Sequence, residues 1–154
     1  MTPGDPVSPG PPLDDLLRNQ QNAAELQTRG VVFSGSSGCG EVSARTNFQE
    51  LRTAHSLTTC SSACTATSGC GPGDKTADPR MLEDLVFFSL EGHRYTVTSI
   101  ATGKHAPNSA HYEGKAVDLV PRDNTSFADL RNAMRSRNPG SPRVACEDNN
   151  GTII

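Results

Sequence analysis

The stretch Ser109-Ala110-His111-Tyr112-Glu113-Gly114-Lys115-Ala116-Val117-Asp118, running on through Leu119-Val120 to Pro121, decides how this chain is read. Its second half, Ala116 to Val120, is aliphatic and β-branched and stops at a proline, which predicts a strand. Alternation puts Ala116, Asp118 and Val120 on one face of that strand and Lys115, Val117 and Leu119 on the other. A carboxylate between apolar neighbours is costly to bury unless it is paired or bound to a cation. Gly114 turns without a Cβ penalty and lets His111 fold back beside the start of the strand. A neutral imidazole nitrogen and a carboxylate oxygen, each about 2 Å from one ion, suit zinc. The plainer alternative is a strand-end aspartate bonded to backbone amides and a surface histidine.

Upstream, Arg94 to Thr102 carries the clearest strand signal, with Tyr95, Val97, Ser99 and Ala101 on one face and Thr96, Thr98 and Ile100 on the other. Asp78-Pro79 sets a capping acid before a proline at the first helical position. Met81, Leu82, Leu85, Val86 and Phe88 then form an apolar face suited to packing on a sheet. Ala44, Phe48, Leu51 and His55 share one face of a further helix, which makes His55 a partly buried or helix-end residue rather than a ligand. His93 follows Gly92 in a turn and is expected to face solvent. Downstream, Ser126 and Asp129 are spaced as in a capping box, ahead of a Phe127, Leu130 and Met134 stripe. Val144-Ala145-Cys146-Glu147 predicts another strand, and Asn149-Asn150-Gly151 a hairpin turn. Residues 1–12 hold five prolines and two glycines and read as a linker, and Leu13 to Gln27 has helical spacing with a stop at Gly30, as a short helix in the linker or a docking helix. The expected organisation is a Pro-rich linker with a short helix over 1–30 and one domain over 31–154. The fold class is α+β, with helices packed on a small, mainly antiparallel sheet.

Hydrophobic residues make up 34% of the chain and tryptophan is absent, so the core is modest and gains from cross-links. A net charge of -3 without long runs of one sign points away from nucleic acid and from a basic membrane surface. No apolar stretch is long enough to span a bilayer. The five cysteines are Cys39, Cys60, Cys64, Cys70 and Cys146. The first four allow two bridges in any of three connectivities. Cys146 would then pair with a cysteine beyond Ile154. A second metal site at Cys60-x-x-x-Cys64 with Cys70 is the competing reading, although structural zinc sites usually use shorter C-x-x-C pairs. Free thiols in a cytosolic protein are a third. Bridges place the protein in an extracytoplasmic setting: periplasm, cell wall or secreted. Met1-Thr2-Pro3-Gly4 does not open a signal peptide, so the expectation is an incomplete N-terminus or an internal start.

The pattern S-x-H-x-x-G-x-A-x-D, met here by Ser109, His111, Gly114, Ala116 and Asp118, resembles the metal motif of the D-Ala-D-Ala metallopeptidases. It is also similar to the zinc site of the hedgehog signalling domain, where a His-Tyr-Glu-Gly run precedes Ala-Val-Asp. With the strand before it, the resemblance covers roughly a fifth of the 154 residues. It implies a zinc ion (Zn2+) held by His111, Asp118 and a third protein ligand, with water in the fourth position. It implies for Ser109 a role in orienting substrate or loop, the plainer alternative being a turn-forming serine after Pro107-Asn108. For His105, at the offset of a hedgehog histidine, it implies a catalytic part in binding substrate or stabilising an oxyanion, the alternative being a residue that merely sits at the cleft rim. Lys104 is placed to meet a substrate carboxylate or simply to be solvated.

In those families the third ligand is a later histidine in a W-x-H or H-x-H motif. This chain has four histidines, His55, His93, His105 and His111, and none follows Asp118. The expectation is a sequence cut short before its last strand, and a fragment inactive by itself. Glu147 is the only glutamate downstream of the motif, too far from the chain end to match the families' catalytic glutamate, while Glu113 is expected to be exposed. The implied activity is zinc-dependent cleavage of peptidoglycan stem peptides. The alternatives are a non-catalytic zinc module that binds partners, and a disulfide-stapled binding module of a surface or secretion protein without metal.

Overall fold

A computed structural model of the chain describes residues 10–138. It contains helices α1 (Leu13–Thr28), α2 (Ala44–Arg52), α3 (Pro79–Leu90) and α4 (Phe127–Arg137), and strands β1 (Val32–Phe33), β2 (Thr58–Cys60), β3 (Cys70–Pro72), β4 (Tyr95–Ser99) and β5 (Asp118–Pro121). The class is α+β. The central sheet has the order β1-β4-β5, and β2-β3 forms a separate hairpin. β4 and β5 are antiparallel, as are β2 and β3, but β1 runs parallel to β4. The central sheet is therefore mixed. Parallel pairing needs a long crossover, and α2, the hairpin and α3 supply it between β1 and β4.

β4 keeps the period of two that its sequence predicts. Tyr95, Val97 and Ser99 are buried, and Thr96 and Thr98 are half-buried. Pairing becomes irregular between Val97 and Ser99, and the strand stops at Ser99 rather than at Thr102. Beyond that break Ile100 is fully buried, although strict alternation assigns it to the opposite face. β5 likewise begins at Asp118, two residues later than the aliphatic run suggests, with Asp118 and Val120 on the exposed side.

The helices form where caps and apolar spacing agree. Asp78 accepts a hydrogen bond from the Arg80 amide at 3.0 Å, and Pro79 opens α3. Leu82, Leu85 and Phe88 are then buried, each contributing about 1.5–3 kcal/mol by leaving water. The Tyr95 hydroxyl donates to the Leu85 carbonyl and ties β4 to that helix. At α4, Ser126 and Asp129 form the reciprocal capping box.

α1 packs against both α2 and α3 and places Ala23 and Leu26 in the main core at 0% exposure. The helix read as part of a leader before residue 31 is thus packed with the rest of the core. Its Asn19 is also fully buried and donates to the Ala77 carbonyl at 2.6 Å. His55 departs from expectation: α2 ends at Arg52, and His55 lies exposed beyond it, with Nδ1 2.8 Å from Thr53 Oγ1. His93 is half-buried rather than fully solvent-facing. Disulfides join Cys39 to Cys64 and Cys60 to Cys70, one of the three open connectivities. Cys146, Glu147, the strand expected from Val144 and the turn at Asn149 to Gly151 lie outside the described residues. Among the described residues, no helix is long and apolar enough to cross a membrane.

Candidate metal centre

The site forms where β4 ends and β5 begins. Ser99 and Asp118 are register partners across these two strands. From Ser99 the chain leaves the sheet and returns through a 3-10 turn, Ala110–Glu113. Ser109 caps this turn, its Oγ accepting from the His111 amide at 3.2 Å. Gly114 ends it with φ +74°, the left-handed region. A Cβ at this position would lie 2.2 Å from the Thr76 carbonyl oxygen, so the glycine is needed for close approach as well as for handedness. The Gly114 carbonyl accepts from the Asp78 amide at 2.9 Å, which anchors the turn to the start of α3. The serine and glycine of the motif thus shape the loop that presents His111.

His111 is buried, and its Nδ1 lies 2.8 Å from the Ile100 carbonyl oxygen. A carbonyl only accepts, so Nδ1 carries the proton. Nε2 faces Asp118 Oδ1 at 3.4 Å. With Nδ1 protonated, a neutral ring would set a nitrogen lone pair against a carboxylate. Something positive belongs between them: a second proton or a metal ion. Charge-assisted N–H···O bonds run at about 2.7–2.9 Å, shorter than the observed separation. Two ligands about 2.0–2.1 Å from one tetrahedral zinc sit about 3.3–3.4 Å apart. The spacing fits a shared ion better than a shared proton. The fixed Nδ1–H bond to a backbone carbonyl is also the partner that ligating histidines usually have.

Partial burial pushes the Asp118 carboxyl up, but hydrogen bonding to His111 and the charges of His111 and His105 outweigh it and hold the group below its ordinary value. His105 is drawn the other way. Burial first, and then the neighbouring His111, lower its affinity for a proton below the ordinary imidazole value. Its Nε2 lies 2.8 Å from Ser99 Oγ and 2.9 Å from the Thr102 carbonyl oxygen. Ser99 Oγ donates its own proton to Thr102 O at 2.7 Å, so Nε2 is the donor of that contact and Nδ1 the ring's acceptor.

The ligand atoms of His105, His111 and Asp118 all lie within 4.8 Å of one another, a group able to hold a metal ion. The two rings are stacked, with centroids 3.7 Å apart and planes within 6°. Imidazole lone pairs lie in the ring plane, so parallel rings do not aim at one point. His111 and Asp118 converge, and His105 flanks them.

Ser99, Thr102 and Tyr112 belong to this arrangement although the sequence did not single them out. The Tyr112 hydroxyl accepts from the His105 amide at 2.8 Å and donates to the Gly103 carbonyl at 3.0 Å. Tyr112 fills a variable letter of the motif, so only its place beside His111 hinted at a role. The Ile100 carbonyl is a backbone group, and no side-chain pattern announces it. Lys104 and Glu113 are exposed, Glu113 with Lys75 3.9 Å away. A second group, Cys39, Cys60, Cys64 and Cys70, also brings its ligand atoms within 4.8 Å of one another. No protein-family model, no curated protein and no solved structure matches this chain.

Proposed function

We propose that His111 and Asp118 hold a zinc ion and that the protein is a zinc-dependent peptidase of the D-Ala-D-Ala carboxypeptidase type, acting on peptidoglycan stem peptides outside the cytoplasm. One observation carries the metal reading: His111 Nδ1 is committed to Ile100 O at 2.8 Å while Nε2 faces Asp118 Oδ1 at 3.4 Å, the spacing of two ligands on one tetrahedral ion. The S-x-H-x-x-G-x-A-x-D pattern carries the peptidase reading, since Gly114 and Ser109 build the turn that presents His111. The two disulfides support an oxidising compartment.

Zinc bound here supplies a water of lowered pKa and a Lewis acid for a carbonyl. His111 and Asp118 would hold the ion, and Ile100 O fixes the ring that His111 presents. His105 stacks on the His111 ring with Nε2–H turned to Ser99 and Thr102, which leaves Nδ1 as the acceptor for a substrate proton or donor group.

A second reading, a zinc module that binds partners without catalysis, is favoured by the ligand set itself. Among the described residues Asp118 is the one carboxylate in the group, so a general base other than His105 is not part of it.

Zinc titration of the metal-stripped, oxidised chain tests the site. One equivalent is expected in the wild type, and none in His111→Ala or Asp118→Asn. Zinc-dependent release of D-alanine from a D-Ala-D-Ala peptide by the full-length protein separates the readings. A zinc-loaded but inert protein leaves the non-catalytic module, and failure of wild type to take zinc overturns both.

A further inference from the structure

The cysteines have a use beyond stapling. We propose that, once its two disulfides are reduced, the cluster Cys39, Cys60, Cys64 and Cys70 is a tetrathiolate site for one zinc ion, so that the same four sulfurs form either two bridges or one metal centre. The inference does not rest on zinc at His111 and Asp118.

Two disulfides need only bring each pair together, and nothing requires the two pairs to share a centre. Here all four sulfurs lie within 4.8 Å of one another. A tetrahedral zinc with bonds of about 2.3 Å to sulfur places its ligands about 3.8 Å apart. The widest separation in the cluster exceeds that spacing by only about 1 Å, so the fold already gathers the four ligands.

The loops are also held by contacts that do not depend on the bridges. Cys60 and Cys70 are register partners across the β2-β3 hairpin. Cys64 lies in the turn between them, its amide donating to the Ser61 carbonyl at 3.1 Å. A Cβ at Gly69 would sit 2.4 Å from Cys64 Cα, so the two sides of the turn meet at van der Waals distance. Cys39 approaches from the segment before α2, with its amide donating to Ser37 Oγ at 3.2 Å. Cys39, Cys60 and Cys64 are buried, and Val42, Cys70 and Tyr112 pack around them. Four soft ligands, three of them buried and Cys70 half-buried, are the donor set of a structural zinc site.

The chemistry balances as follows. A dithiol reductant gives two electrons and two protons to each disulfide, which yields two thiols and the oxidised, disulfide form of the reductant. Four thiols then release four protons to solvent as Zn2+ binds four thiolates. The site borders the histidine centre, because Tyr112 packs on the cysteines and bonds the His105 amide. The two metals must therefore be told apart in any test.

The test uses the full chain carrying Cys146→Ser and His111→Ala, so that the four clustered cysteines are the only thiols and the histidine site is disabled. The protein is reduced with a phosphine, stripped of metal and titrated anaerobically with cobalt(II). The expected result is one equivalent bound with an intense thiolate-to-cobalt charge-transfer band and tetrahedral d–d bands. One equivalent of zinc displaces it, and the oxidised protein gives no band. Adding Cys39→Ser or Cys64→Ser should abolish the tetrathiolate spectrum, with circular dichroism of the oxidised variants checking their fold through the remaining Cys60–Cys70 bridge. A reduced parent protein without the charge-transfer band overturns the proposal. So does a spectrum unchanged by Cys39→Ser, or a reduced protein that unfolds and does not recover its dichroism with cobalt.

Discussion

Replacing Asn47 with alanine is expected to cost about 3 kcal/mol of folding stability and to loosen the candidate metal centre some distance away. Asn47 is fully buried in α2. Its Oδ1 accepts from the Ala101 amide at 2.8 Å, and its Nδ2 donates to the Thr58 carbonyl at 2.9 Å and to Glu50 Oε1 at 3.0 Å. Glu50 keeps other partners after the change, since it also accepts from the Thr58 amide and hydroxyl. The Ala101 amide and the Thr58 carbonyl lose the Asn47 bond, and a buried backbone group left unpaired costs about 1–3 kcal/mol. Two such groups give about 2–6 kcal/mol, and the figure stated lies in the lower half of that span because Thr58 is only half-buried. Ala101 follows Ile100, whose carbonyl fixes the His111 ring, so the same variant should disturb His111. Urea unfolding of the oxidised chain measures the first effect, and histidine 15N chemical shifts measure the second. Asn47→Asp keeps the acceptor for Ala101 but removes the amide donors and sets a carboxylate against Glu50, so it should be at least as damaging. A loss below about 1 kcal/mol for Asn47→Ala would refute the claim that this side chain satisfies both backbone groups.

Two further outcomes follow from the geometry. Gly114→Ala should destabilise by more than about 1 kcal/mol, because it combines a left-handed residue with a Cβ 2.2 Å from Thr76 O, and it should weaken zinc binding with it; unchanged thermal unfolding and zinc affinity would contradict that. Asp129 is held below its ordinary value of 3.8 by the Ser126 amide and hydroxyl. Its support for α4 is therefore complete above that value and lost as pH falls through the lower folded one. Amide exchange in α4 measured across that acid window should accelerate in wild type but not in Asp129→Asn, and equal profiles would count against the capping box.

Local signals carried much of the fold. Asp78-Pro79, Ser126 with Asp129, and the apolar spacing of α2 and α3 are relations between residues a few positions apart, and backbone hydrogen bonding acts over that same range. The alternation in β4 was visible as far as Val97 and misled beyond Ser99, because an irregular pairing with β5 shifts the period that alternation assumes. The boundary drawn at residue 30 set α1 apart from the domain, and of its two readings, linker helix or docking helix, the packing favours the second. A proline-rich leader announces itself by composition, but Ala23 and Leu26 enter the core only because α2 and α3 are there to receive them.

His111 and Asp118 were legible as a ligand pair, with Gly114 as the turn between them, because their spacing is short and chemically specific. What the sequence could not contain was the partner of each group. The Ile100 carbonyl that sets the His111 tautomer, the stacking of His105 on His111 and the commitment of Ser99 to His105 depend on how one strand ends and the next begins. The pairing of Cys39 with Cys64 and Cys60 with Cys70, and the gathering of all four sulfurs, depend on where a hairpin meets the segment before α2. Spacing along the chain specifies which groups are available and which local turns they favour. Only the folded backbone, by bringing distant carbonyls, rings and sulfurs within a few ångströms, decides which of them share a proton, a bond or an ion.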